Sequence, residues 1–165
     1  MGIRIVTDST CDLPVEITNQ YNITVIPLHI NAGEKTYLDG VDLTRAEFYA
    51  QLPNYQPAPK TAAPGPEIFS RAYEHIAEEG ASVILSIHIS ETLSATINSA
   101  RTASQEFSII PVIVIDSSQL SLGTGFLIEP AADPAWPCLL LPAWCGRNGS
   151  RRSPPCAGSS ARHRT

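Results

Sequence analysis

The sequence predicts an α/β domain, a mainly parallel sheet flanked by helices. Short β-branched runs alternate with segments of helical period, and the runs end in polar loops rich in Asp, Ser and Thr. Two runs, residues 82–87 (SVILSI) and 112–115 (VIVI), are continuously apolar, as strands covered on both faces are.

Residues 3–7 (IRIVT) make a buried strand that feeds the loop Asp8-Ser9-Thr10. Asp12 and Pro14 supply a cap and a first-turn proline for a helix over 14–21. Residues 24–30 (TVIPLHI) are rich in β-formers but carry Pro27, which predicts an edge strand or a bend. The chain turns at 31–34, and 36–38 form a short return strand. Thr44 and Glu47 have capping-box spacing, and Phe48, Tyr49 and Leu52 give that helix its apolar side. Five prolines between 53 and 66 predict a loop or extended linker, which contains Lys60 and Thr61. Pro66 opens a helix in which Ile68, Phe69, Ala72, Tyr73, Ile76 and Ala77 recur at helical period, with Gly80 at its end. Strand 82–87 runs into a hydroxyl-rich loop, 88–96, where Ser94 caps a helix over 95–106. Strand 112–115 ends at Asp116-Ser117-Ser118, and a further helix begins within 119–129.

At Pro130 this alternation stops. Residues 1–129 carry a formal charge of −9, whereas residues 130–165 carry +4. Both tryptophans, three of the four cysteines and six of the fourteen prolines fall in that second segment, which has no Lys, Glu or Ile. Out-of-frame GC-rich DNA yields such a composition. The expected organisation is a domain over 1–129 and an anomalous Pro/Arg-rich, disordered tail over 130–165, from truncation or a frameshift. A genuine disordered tail is the alternative.

Composition excludes several classes. With 43% hydrophobic and 16% charged residues the chain is globular, and no run approaches the roughly 20 apolar residues of a membrane helix. The start, MGIRIVTDST, has no secretory pattern, so the expected location is the cytoplasm. An acidic body argues against nucleic acid. Cys138, Cys145, Cys156 and His163 are spaced too widely for a zinc site, so no metal is expected. His29, His75 and His88 show no metal spacing and no evident acid partner. No nucleophile elbow, phosphate-binding loop or dinucleotide fingerprint occurs, and Gly123-Thr124-Gly125 alone is weak.

Ligands of open α/β sheets lie beyond the carboxyl ends of strands, near helix N-termini. Here those ends are Asp8-Ser9-Thr10, residues 88–96 and Asp116-Ser117-Ser118, with Lys60-Thr61 as a neighbouring segment. Hydroxyls and free N–H groups at a helix start suit an anionic group, carboxylate or phosphate, at Ser94. The competing readings are structural: Ser94 as a plain cap, Asp8 and Asp116 pinning loops, Lys60 a solvated charge. An enzyme remains the alternative, a small phosphotransferase or hydrolase using Asp8 and the Ser94 loop, although Thr10 stands where a second acid belongs. An interaction module working through the tail is a third reading.

The ordered set Val6-Thr7-Asp8-Ser9-Thr10-Cys11-Asp12-Leu13-Pro14, Val25-Ile26-Pro27-Leu28, Tyr37-Leu38-Asp39-Gly40-Val41-Asp42, Lys60-Thr61 with Pro64, Ser86-Ile87-His88-Ile89-Ser90, Leu93-Ser94-Ala95-Thr96 and Asp116-Ser117 resembles the DegV family of bacterial fatty-acid-binding proteins over residues 3–129. The resemblance implies a two-domain, non-catalytic protein that holds a long-chain fatty acid between its domains and needs no cofactor. It implies carboxylate contacts at Thr61 and Ser94, and Ser9, Ser90, Thr96, Asp116 and Ser117 on the strand-end loops are the supporting candidates. Some relatives present the lipid to the catalytic subunit of a fatty acid kinase, which then performs the chemistry. Ala95 replaces the family's usual glycine, and Ala62, Ala63 and Gly65 thin out the hydroxyls expected beside Thr61. Family members continue into a second domain, so the resemblance implies a head-group half whose other wall is missing and whose binding is impaired.

Overall fold

The computed structural model describes residues 2–133. Its elements are β1 (Ile3–Asp8), α1 (Val15–Gln20), β2 (Thr24–Ile26), β3 (His29–Ala32), β4 (Lys35–Leu38), α2 (Arg45–Gln51), β5 (Lys60–Ala62), α3 (Pro66–Glu78), β6 (Val83–His88), α4 (Thr96–Glu106), β7 (Val112–Asp116) and α5 (Leu122–Ala132). The expected parallel sheet is present, in the order β2-β1-β6-β7 with every pair parallel.

Strand alternation sorts side chains onto two covered faces. Val6, Ile84 and Val114 lie on the face packed by Phe69, Tyr73 and Ile76 of α3 and Ala100 and Ala103 of α4. Ile5, Ile87 and Ile115 point the other way, toward Ile128 of α5 and Tyr21 beyond α1. Gly125 lets α5 close on the first loop, since a Cβ there would stand 2.8 Å from the Cys11 carbonyl oxygen.

A second, antiparallel sheet, β4-β3-β5, was not expected. Pro27 sits where the chain leaves β2 and before it enters β3, so the predicted bend is a switch between sheets. The Lys60–Ala62 segment, expected as loop, is β5; Thr61 pairs with Ile30 and Lys60 with Asn31. Three residues between prolines are too few to show a strand period, and their pairing partner is thirty positions away.

Helix ends moved for local reasons. Pro14, not Asp12, is the N-cap of α1, and no side chain caps it. The Thr44–Glu47 capping box forms as read. Helix α5 begins only at Leu122, because Ser118 and Ser121 take positive φ of 53° and 58°. It then continues through Pro130 to Ala132, beyond the expected stop at Glu129; Pro130 lies in the last turn, where few backbone bonds remain to be lost. The expected disordered tail lies, from residue 134 onward, outside the described residues.

Candidate functional site

The carboxyl ends of β1, β6 and β7 are tied into one rim. Asp8, buried at the end of β1, accepts from Thr10 N and Thr10 Oγ1 on Oδ1 (3.1 and 2.5 Å), and from Ile89 N and His88 Nδ1 on Oδ2 (3.1 and 3.0 Å). Burial alone would raise this carboxyl, but His88, Thr10 and the Ile89 amide outweigh it and hold it below the usual carboxylate range. The Ser90 amide donates to Gln119 O, and the Ser117 amide to His88 O, which joins the loops after β6 and β7.

The histidine expected to lack an acid partner therefore has one. The link is invisible in sequence because Asp8 and His88 are eighty positions apart and meet only through β1–β6 pairing. His88 Nε2 continues the chain to Ser86 Oγ at 2.7 Å, and Ser86 Oγ lies 2.8 Å from the Tyr73 hydroxyl. Acid, histidine and serine stand in the connectivity of a hydrolase triad, yet all four side chains are fully buried and Phe69 packs edge-on against the His88 ring at 5.2 Å. Ser86 has no path to a substrate, and the four hydrogen bonds on Asp8 occupy the lone pairs an attacking carboxylate would use.

Beside this rim lies an open cleft of ≈ 380 Å³. Thr10, Asp12, Arg45, Lys60, Thr61 and Ser121 supply its polar lining, and Leu28, Ile30, Phe48, Pro59 and Leu120 much of its apolar lining. Thr61 is exposed on β5, and no side chain among the described residues hydrogen-bonds its hydroxyl. Ser94 lies outside that lining, half-buried before α4; its Oγ accepts from Thr96 N at 3.2 Å and shares a 2.9 Å bond with Thr96 Oγ1. Ser94 thus braces the start of α4, although Ala95 is the capping position. When the Thr96 hydroxyl donates to Ser94, the Ser94 proton is free for a ligand.

The other candidates are largely committed within the fold. Ser9 Oγ donates to Asp39 Oδ2 at 2.7 Å and accepts from Leu28 N at 3.1 Å. Ser90 is bonded to Thr92, and buried Thr96 to Ser94. Ser117 contacts Gln119 and Thr124, and Asp116 accepts from Ser118 N. A carboxylate such as Asp116 offers an acidic ligand no proton.

Arg45 was not foreseen. The capping box places it at the first position of α2, from which it pairs with Asp12 and donates to Ser9 O at 2.8 Å. Asp12, in left-handed backbone, also accepts from Ser121 Oγ, so one carboxylate joins the first loop, α2 and the start of α5. The cleft is therefore not the uncharged cradle of hydroxyls suggested by the sequence. Its lining includes two cations, Arg45 and Lys60, and two carboxylates, Asp12 and Asp39. Burial pushes the Cys11 thiol above its ordinary value. Among the described residues no group of three or more metal-ligating side chains is assembled, and no helix is long and apolar enough to cross a membrane.

A family model described as an uncharacterised protein of the DegV family matches residues 2–135. A DegV domain-containing protein of Clostridium perfringens is 42% identical over 130 residues, which cover 79% of this chain and 46% of the relative. Among solved structures, a fatty-acid-binding DegV family protein from Thermus thermophilus is 39% identical with a TM-score of 0.71, over 80% of this chain and 46% of that one. DegV, a fatty acid binding protein from Bacillus subtilis, is 33% identical with a TM-score of 0.74, over the same shares of 80% and 46%. A stearic-acid-binding protein from Eubacterium ventriosum is 30% identical with a TM-score of 0.70, over 78% and 45%. The chain spans about half the length of the relatives it matches.

Proposed function

The chain belongs to the DegV family, and from that premise we propose that it forms the head-group half of a long-chain fatty-acid site, with Thr61 and Ser94 receiving the carboxylate. The observation that carries this is the placement of Thr61: an exposed hydroxyl on β5 without a side-chain partner among the described residues, in a cleft lined by both polar and apolar side chains. Relatives that share this fold over four-fifths of the chain are themselves fatty acid binders. A chain of about fourteen methylenes gains roughly 11 kcal/mol gross at ~0.8 each, before ordering costs. Each hydrogen bond to the carboxylate adds about 1.5–3 kcal/mol and sets the orientation of the acid.

The matched region covers less than half of those relatives. We assign the remaining wall of the site to the region of those relatives that the match does not cover. The bound acid is presented, in the cytoplasm, to the catalytic subunit of a fatty acid kinase; the chain itself holds and orients. Titration with a dansyl-labelled fatty acid tests the assignment. Thr61→Val and Ser94→Ala each weaken binding by about ten- to a hundredfold, and unchanged affinity in both refutes it.

A further inference from the structure

We propose that Asp8 and His88 are positioning residues that lock the loop carrying Thr10, which lines the cleft, and the loop carrying Ser94 into one piece. The inference rests on the fatty-acid reading for its consequence, though not for its geometry. Asp8 Oδ1 holds the first loop, through the amide and hydroxyl of Thr10, and Thr10 lines the cleft. Asp8 Oδ2 holds the second loop, through the Ile89 amide. Ser90 follows directly; its carbonyl accepts from Leu93 N and Ser94 N at 3.0 and 3.2 Å, so the place of Ser94 descends from the anchor at Ile89. One carboxylate therefore sets the separation between the Thr10 side and the Ser94 side of the rim.

His88 fixes the carboxylate in turn. An ionised Asp8 only accepts, so Nδ1 carries the proton; in the neutral ring Nε2 then accepts from Ser86, and Ser86 accepts from the Tyr73 hydroxyl. Every donor in this chain points toward Asp8. The chain lies under α3, away from the cleft, and the pull reaches the ligand only through the loops.

Asp8→Asn tests this without changing volume. An amide has one accepting end, whereas Asp8 receives donors at both ends, so one loop loses its acceptor. Three readouts are taken: amide hydrogen exchange, the nitrogen shifts of the His88 ring, and titration with the dansyl-labelled fatty acid. Ile76→Val serves as the control that disturbs the same core without touching the chain to Asp8. In the wild type the ring is protonated at Nδ1; in Asp8→Asn it stays so where the amide oxygen faces His88 and Thr10 is the residue released, and the proton moves to Nε2 where the amide nitrogen faces His88 and Ile89 is the residue released. Exchange at Thr10 or Ile89 and through residues 90–94 rises about tenfold or more in Asp8→Asn, the loss of one charge-assisted bond, while β7 and α4 keep their protection. Probe affinity falls about tenfold in Asp8→Asn and is unchanged in Ile76→Val. Exchange that is unaltered, or that rises evenly across β7 and α4, overturns the proposal. So does loosening of the loops with wild-type affinity. If the wild type takes up no probe, the fatty-acid reading fails while exchange and ring protonation still decide the loop lock.

Discussion

Tyr73→Phe removes a single oxygen from the middle of the core, and its effect should change sign with pH. The side chain is fully buried between β6 and Phe107 of the α4 end, with its hydroxyl 2.8 Å from Ser86 Oγ. Burial pushes the phenol from 10.0 up to about 12, against the opposing pull of Ser86. An unfolded chain ionises this group near its ordinary value while the folded chain keeps the proton, so the contribution to stability is complete below about pH 10 and is lost as pH rises toward about 12. Two pH units correspond to about 3 kcal/mol. At neutral pH the variant should be less stable by about 1 kcal/mol, the worth of the bond to Ser86. Urea unfolding followed by circular dichroism, from about pH 7 to about pH 11.5, measures both proteins. Subtracting one curve from the other cancels the titration of Tyr21, Tyr37, Tyr49 and Tyr55, which both share. The gap should close above pH 10 and reverse. A constant gap would refute the buried, neutral phenol and the hydrogen-bonded chain built on it.

Gly125→Ala should lower stability by about 1–3 kcal/mol, because the new methyl meets the Cys11 carbonyl at 2.8 Å and Leu13 at 3.1 Å; an unshifted urea midpoint would mean that α5 does not press on the first loop. Asp8 has its carboxyl held below 3.8 in the fold, so its stabilisation is complete above that value and is lost as pH falls through the folded value. The wild type should therefore lose stability in acid more steeply than Asp8→Asn, and parallel acid limbs would contradict the assignment.

How much was legible in sequence depended on the range of the interaction. The Thr44–Glu47 capping box, the α3 stripe ending at Gly80, and the apolar strands β6 and β7 are local signals, and they appear within a residue or two of where they were read. Pro27 marked a break, but only the structure shows that the break separates two sheets. Strand β5 escaped because it is three residues long and exists by pairing with β3. Thr61 could be singled out by resemblance, whereas the partners that fill Ser9, Ser90 and Ser117 could not be seen in a list of hydroxyls. Arg45 carries a local sequence signal, an arginine at the first position of a capped helix, where its charge opposes the helix dipole and needs another reason to be there. Its reason is Asp12, thirty-three positions earlier.

The central claim is that the acid head group comes to Thr61. Nuclear Overhauser contacts from a fatty acid labelled with carbon-13 at its carboxyl and first methylene, bound to the isotope-labelled chain, test it directly. The expected result is a contact between that end of the lipid and the Thr61 methyl, lost in Thr61→Val together with affinity. Contacts that appear only in the groove of Glu67, Arg71, Glu74 and Glu106 between α3 and α4, with none at Thr61, would contradict it.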